Sequence, residues 1–369
     1  MYRFTPYKHI HISIQPCKGD YMKLSSYTLA LLNDIEKRID PETEEDFRSQ
    51  WIRFWEGKTD TAVFRPTRKQ VTAPVVELKD ININDCLGDW ELMLDAQLTD
   101  VSRRLAGKSP ALGMRANYGT GIMPSLFGAE IFEMPRKLNT LPTTKSLNDD
   151  DKIRAILEKG LPDLQTGYGK DVLRFGEICA EVFENYPKIK KYVEVYHPDT
   201  QGPLDVAELL WGGEMFYAMY EDPDFVHAVI RLITDTYKAF MDKWYSIIPQ
   251  RGEYSVHWGF LIRGTLMIRL DSAMNISPAF YEEFSKQYDK ELFDYYGGGC
   301  MHFCGRGDHF IRSMCDIDTM YAFNMSQPHL NNMDLILSAA CTRNKHILGL
   351  PQADQYGSRP DVLKGTISG

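Results

Sequence analysis

The chain has 369 residues, with 42 Lys and Arg against 51 Asp and Glu, a formal net charge of −9. A hydrophobic content of 43% with 25% charged residues is that of a folded globular protein and excludes intrinsic disorder. The acidic balance, with no Lys/Arg stripe, excludes nucleic-acid binding as the main role.

No apolar run reaches the ~18 residues that cross a bilayer. Met1 to Pro16 lacks the basic-then-apolar order of a signal peptide. A cytoplasmic location without membrane contact is therefore expected. The seven cysteines (Cys17, Cys86, Cys179, Cys300, Cys304, Cys315 and Cys341) are too scattered for a disulfide framework. The length accommodates two average domains, or one α/β barrel of about 250 residues with an extension of roughly 120.

In chain order, residues 1–105 read as a mostly helical extension. Leu29, Leu31, Leu32 and Ile35 form the apolar face of a helix over Tyr27 to Arg38. Asp40-Pro41 is an N-cap followed by proline in the first turn, and Phe47, Trp51, Phe54 and Trp55 follow at helical spacing. Asp85 to Leu105 reads as one further helix, and Ser146 to Asp151 as a polar surface loop.

From residue 106 to 369 short β-like runs alternate with helices: Ala111 to Ala116, Tyr192 to His197, Leu266 to Asp271, Cys300 to Cys304, Met320 to Ser326 and His346 to Leu350, with Tyr254 to Trp258 a weaker candidate. Asp222-Pro223 and Ser277-Pro278 start helices, and Gly297-Gly298-Gly299 ends the second. Such alternation implies a parallel sheet. The expected fold is α/β, a (β/α)8 barrel over 106–369 behind the helical extension, with an open doubly wound sheet as the alternative. In a barrel the chemistry sits just after the strands, at their C-terminal ends.

The run Cys300-Met301-His302-Phe303-Cys304-Gly305 carries the most chemical information. Side chains alternate along a strand, so Cys300, His302 and Cys304 share one face and Met301 and Phe303 the other. An inward imidazole and thiol two residues apart at a strand end suit zinc, which accepts nitrogen and sulfur in a tetrahedral shell. The plainer reading is a buried cysteine and histidine without metal.

The chain also resembles the uroporphyrinogen decarboxylase superfamily, which includes zinc-dependent methyltransferases acting on corrinoid proteins. The resemblance runs from about Trp90 onward. It is carried by Arg115-Ala116-Asn117-Tyr118-Gly119 with Leu126-Phe127-Gly128-Ala129-Glu130, by Gly202-Pro203-Leu204-Asp205-Val206-Ala207, by Tyr220-Glu221-Asp222-Pro223, by Leu270-Asp271-Ser272 and by His302-Phe303-Cys304-Gly305 in the place of a His-x-Cys-Gly motif. It implies a (β/α)8 barrel. The arginine loop of true decarboxylases, Arg-Gln-Ala-Gly-Arg, is missing; Met114-Arg115-Ala116 echoes it faintly in a different place, and Asn117-Tyr118-Gly119 lacks the pyrrole-binding acid. A substrate with eight carboxylates needs several cations, so the acidic chain fits the methyltransferase branch better.

That branch implies zinc on His302 and Cys304, a thiol substrate, and a methyl-corrinoid, free or on a partner protein. It also implies a third ligand, a cysteine near the last strand. Cys341 precedes the run His346 to Leu350 and falls at the wrong end, and Cys315 reads as core. Asp271, His257 or a group from a partner remain as sources, and truncation of the final β/α unit is a further expectation.

The remaining candidates are strand-end residues. Asp271 and Tyr118 are expected in catalysis, and Arg115, Asn117, His197 and Gln327 in substrate binding; Asp199, Asn324, Gln352 and Asp354 rank behind them. His9-Ile10-His11 resembles the His-x-His of metal-dependent barrel hydrolases but lacks later histidines in order. The expected function is methyl transfer from a corrinoid to a thiol. The alternatives are porphyrinogen decarboxylation and a non-catalytic corrinoid- or metabolite-binding barrel. A homodimer is compatible with the extension.

Overall fold

The computed structural model describes residues 23–59, 61, 63–356 and 366–368; the His9/His11 pair lies outside them. The fold is mixed α/β. Its largest sheet has six strands, all parallel, in the order Val63–Phe64, Thr366–Ser368, His346–Leu350, Met320–Met325, Gly299–Phe303 and Leu266–Arg269. Gly113–Met114 and Glu194–Val195 form a separate parallel pair. Two hydrogen bonds lay the segment after that pair along the edge strand of the large sheet. Met267 N donates to His197 Nε2 at 3.0 Å, and Gly202 N to Arg269 O at 2.9 Å.

The helices form where the caps direct. Asp40 accepts from Thr43 N at 3.0 Å and starts Pro41–Trp55, and Asp222 and Ser277 start Pro223–Ile247 and Pro278–Tyr281. Gly297, at φ +78°, ends Gln287–Tyr296 in the left-handed region that glycine alone enters freely.

Several expectations are corrected. Asp85 to Leu105 is two helices, Ile83–Cys86 and Trp90–Leu105, because Gly88 weakens the join and Asp89 caps the second by accepting from Glu91 N and Leu92 N. The loop Ser146 to Asp151 stops early: Asp149 caps a helix over Asp150–Lys159. The helix after Ser277 passes through a π turn over Glu282–Lys286.

Tyr254 to Trp258, the weaker candidate, is a strand over Tyr254–His257, but it does not join the parallel sheet. Tyr254–His257 pairs antiparallel with Phe260–Arg263 around Trp258 and Gly259, whose φ values of +50° and +87° make a type I′ turn. A second hairpin, Glu130–Phe132 with Thr143–Lys145, was not expected. Nor were Val63–Phe64, inside the supposed helical extension, and Thr366–Ser368, past the last expected run. The mostly helical stretch 1–105 therefore also contributes a strand to the sheet.

The sheet separates two apolar clusters. Met301, Phe303, Ile268, Phe323 and Ile347 face the helices in the main core. Met267, Cys300, Ala322 and Leu348 face the other way, into a smaller cluster closed by Phe47, Trp51 and Phe54 of helix Pro41–Trp55 and by Val256 and Leu261 of the hairpin. The alternation read from Cys300 to Phe303 is thus observed.

Candidate metal centre

His302 is the penultimate residue of the strand Gly299–Phe303, with its imidazole on the inner face. Its Nδ1 bonds Asn324 Oδ1 at 2.6 Å, and Asn324 Nδ2 donates to Leu348 O at 2.8 Å. The second bond fixes which end of the amide faces the ring. Nδ1 must then carry the proton, and the Nε2 lone pair points elsewhere. It points at Cys304 Sγ, 3.4 Å away, with Asp271 Oδ1 at 3.9 Å. Burial lowers the His302 pKa, which favours the neutral imidazole a metal needs.

Asp271 follows the neighbouring strand, Leu266–Arg269, and its Oδ1 also accepts from Cys304 N at 2.7 Å. Asp205 places it: the two Asp205 oxygens accept from Asp271 N and Ser272 N, each at 2.8 Å. Burial, then the charge of Asp271, push the Asp205 carboxyl well above its usual range. Gly305, at φ +72°, turns the chain out of the site, and its N donates to Gln327 Oε1 at 2.6 Å. Burial pushes the Cys304 thiol up to about 11.

Asp271, His302 and Cys304 thus offer carboxylate oxygen, imidazole nitrogen and sulfur, all within 4.8 Å of one another. Two ligand atoms on one tetrahedral zinc lie roughly 3.3–3.6 Å apart, given bonds of about 2.0–2.3 Å. The His302–Cys304 separation of 3.4 Å already suits this, Asp271 would have to move closer from 3.9 Å or more, and three protein donors leave a fourth position open. The imidazole held through its other nitrogen is the usual support for a metal-binding histidine. The donor set fits zinc. Cys341 lies in helix Met333–Thr342, ahead of the strand His346–Leu350, as the sequence suggested.

A second polar group lies next to this one. Arg269 Nε is 3.0 Å from Asp199 Oδ1, and Arg115 Nη1 is 3.2 Å from Asp199 Oδ2. Gln201 Nε2 donates to Asp199 Oδ1, and Arg115 Nε to Asn117 Oδ1. The opposing arginines lower the Asp199 pKa against the effect of its burial. Trp258, held in a left-handed turn conformation, joins the two groups: its ring meets His302 edge-on at 5.0 Å, and Arg269 lies over it at 4.8 Å.

Of the residues selected from sequence, Asp271, His302, Cys304 and Gln327 come together, and Arg115 and Asn117 sit in the adjoining polar group. His197 is placed differently: Nδ1 donates to Pro198 O and Nε2 accepts from Met267 N, so both nitrogens serve the backbone. Tyr118 is 2% exposed and packs on Tyr168, where burial raises its hydroxyl pKa far above the usual range. Asp354 pairs with Arg65 on the surface, away from the cluster.

Asp205, Arg269 and Trp258 were missed. An arginine at an inward position of an otherwise apolar strand was the available signal for Arg269; Asp205 lay within the quoted Gly202-Pro203-Leu204-Asp205 segment. No protein-family model matches the chain, and no curated protein is significantly similar to it.

Proposed function

We propose that the parallel strands close into a (β/α)8 barrel of the uroporphyrinogen decarboxylase kind, and that the chain is a zinc-dependent methyltransferase moving a methyl group from a corrinoid to a thiol. Eight parallel segments support the ring: the six of the large sheet and the pair Gly113–Met114 and Glu194–Val195. The first in sequence, Val63–Phe64, pairs with the last, Thr366–Ser368. Arg68 N donates to Lys108 O at 2.8 Å near one join, and Gly202 N meets Arg269 O at the other. The small inner cluster is what the filled interior of such a ring would be.

The observation that carries the chemistry is the Asp271, His302 and Cys304 cluster at strand C-terminal ends. His302, Cys304 and Asp271 would hold zinc, whose charge keeps a thiol substrate deprotonated at neutral pH. The chain's own part is positioning. Asn324 fixes the imidazole, Asp205 fixes the backbone at Asp271, and Gln327 fixes the turn at Gly305. Trp258 offers a half-buried aromatic wall and excludes water from one side of the site.

The test supplies zinc-loaded protein with methylcobalamin and a panel of small thiols, and measures thioether. The expected result is thioether formation that falls to the uncatalysed rate in His302→Ala and Cys304→Ser. Zinc-loaded wild-type protein that forms no thioether with any thiol of the panel would overturn the reading. One observation favours porphyrinogen decarboxylation instead, namely that Arg115 and Arg269 converge beside the site. Asp199 already lies between them, however, which leaves little charge for a polycarboxylate. Metal-independent loss of carboxylate from uroporphyrinogen would establish that alternative.

A further inference from the structure

A cavity of about 230 Å³ lies between helix Pro41–Trp55, the hairpin Tyr254–Arg263 and the beginnings of the strands Gly113–Met114 and Glu194–Val195. The metal-binding cluster sits after strand ends, so this cavity is at the opposite end of the strands. Its apolar wall comes from Phe47, Trp51, Leu112, Val256 and Leu261.

The charges around it are unevenly matched. Glu44 is taken up by Arg68, with contacts of 2.6 and 3.0 Å, and Glu45 by Lys191 at 2.7 Å and Tyr192 at 3.1 Å. Arg251 donates to the carbonyls of Lys190 and Lys191 and meets no carboxylate in an ion pair among the described residues. Arg48 makes no hydrogen bond or ion pair among the described residues, yet lines the cavity on the same helix face as Trp51. Arg48 and Arg251 thus line a space whose wall combines aromatic and aliphatic carbon with Glu194 and the paired groups of Glu44, Glu45 and Lys191.

We propose that this cavity binds a small monocarboxylic acid with an apolar body, its carboxylate received by Arg48 and Arg251 and its body packed against Trp51 and Phe47. Guanidinium forks suit a carboxylate, and burial of the apolar part adds affinity. The volume is below the about 300–1,000 Å³ usual for larger ligands, which limits the guest to the size of benzoate or a short fatty acid. Glu194, 8% exposed, also lies on the cavity lining beside the arginines. Burial raises Glu194 to about 7, and in its protonated form it can donate to the guest.

Calorimetry and thermal melts of the full chain with benzoate, hexanoate and benzamide test this. Benzoate or hexanoate is expected to bind saturably and raise Tm, and uncharged benzamide to bind at least about tenfold more weakly than benzoate. Arg48→Met should weaken benzoate by about tenfold or more while its circular dichroism stays native; His302→Ala should leave benzoate binding unchanged. The proposal is overturned if neither acid binds saturably, if benzamide binds as tightly as benzoate, or if folded Arg48→Met binds benzoate as wild type does.

Discussion

Asn324 decides what His302 can do. Its amide is held by Leu348 O, so its oxygen accepts the Nδ1 proton and leaves Nε2 for the cluster. Asn324→Leu keeps the size but removes both bonds. Zinc affinity is expected to fall about 10–100-fold, measured by competition with a chromogenic chelator, with the melting curve still cooperative. A different residue reports on pH. Asp289 is fully buried with Ser285 Oγ donating to one oxygen at 2.8 Å, while the other has no partner among the described residues. Burial raises its carboxyl to about 7, against an unfolded value near ~3.9. Folding therefore takes up a proton in the window from about pH 4 to 7, and the cost of this aspartate grows as pH rises through it. Asp289→Asn removes that cost. Urea unfolding at pH 5 and pH 8 should show the variant gaining on wild type by on the order of 2 kcal/mol across the interval. His302, Cys304 and Asp271 were legible because strand alternation and strand ends are properties of a short stretch. Arg269, Trp258 and Asp205 were not, because what each touches depends on a neighbouring strand or hairpin.

Helix Pro41–Trp55 closes the inner apolar cluster, and a buried ion pair fixes it. Arg68, 1% exposed, grips both oxygens of Glu44, reaches the carbonyls of Gly107 and Pro110, and lies over Phe47 at 4.3 Å. Arg68→Met leaves a buried carboxylate without its partner and should cost about 3–5 kcal/mol in urea unfolding. Glu44→Leu combined with Arg68→Met should recover most of that loss, because the expense lies in the uncompensated charge. Caps made helix starts readable here: Asp40-Pro41, Asp222-Pro223 and Ser277-Pro278 all begin helices. The two-residue strands Gly113–Met114 and Glu194–Val195 were readable within longer apolar runs, but Val63–Phe64 was not. Val63–Phe64 has too few positions to show a period, and its strand character comes only from pairing with Thr366 and Ile367. The Trp258-Gly259 turn escaped for a related reason, since a tryptophan at positive φ lacks the usual Asn-Gly or Asp-Gly cue.

Taken as a whole molecule, the chain places a donor cluster and a cavity, two chemically different candidate sites, at the two ends of one set of parallel strands. The soft donor cluster follows the strand ends; the arginine-lined cavity precedes the strand starts. The alternation of β runs and helices made the parallel sheet legible, whereas the small strands and the inserted hairpins had to be seen in three dimensions. The arginines near the Asp271, His302 and Cys304 cluster, Arg115 and Arg269, both pair with Asp199. The central claim is that Asp271, His302 and Cys304 form a zinc site, and equilibrium dialysis of the reduced protein against zinc, followed by metal analysis, tests it most directly. The account predicts about one zinc per chain in wild type and a loss of binding in each of Asp271→Ala, His302→Ala and Cys304→Ser. Wild-type protein that takes up no zinc, or the folded His302→Ala/Cys304→Ser double variant binding it as tightly as wild type, would contradict it.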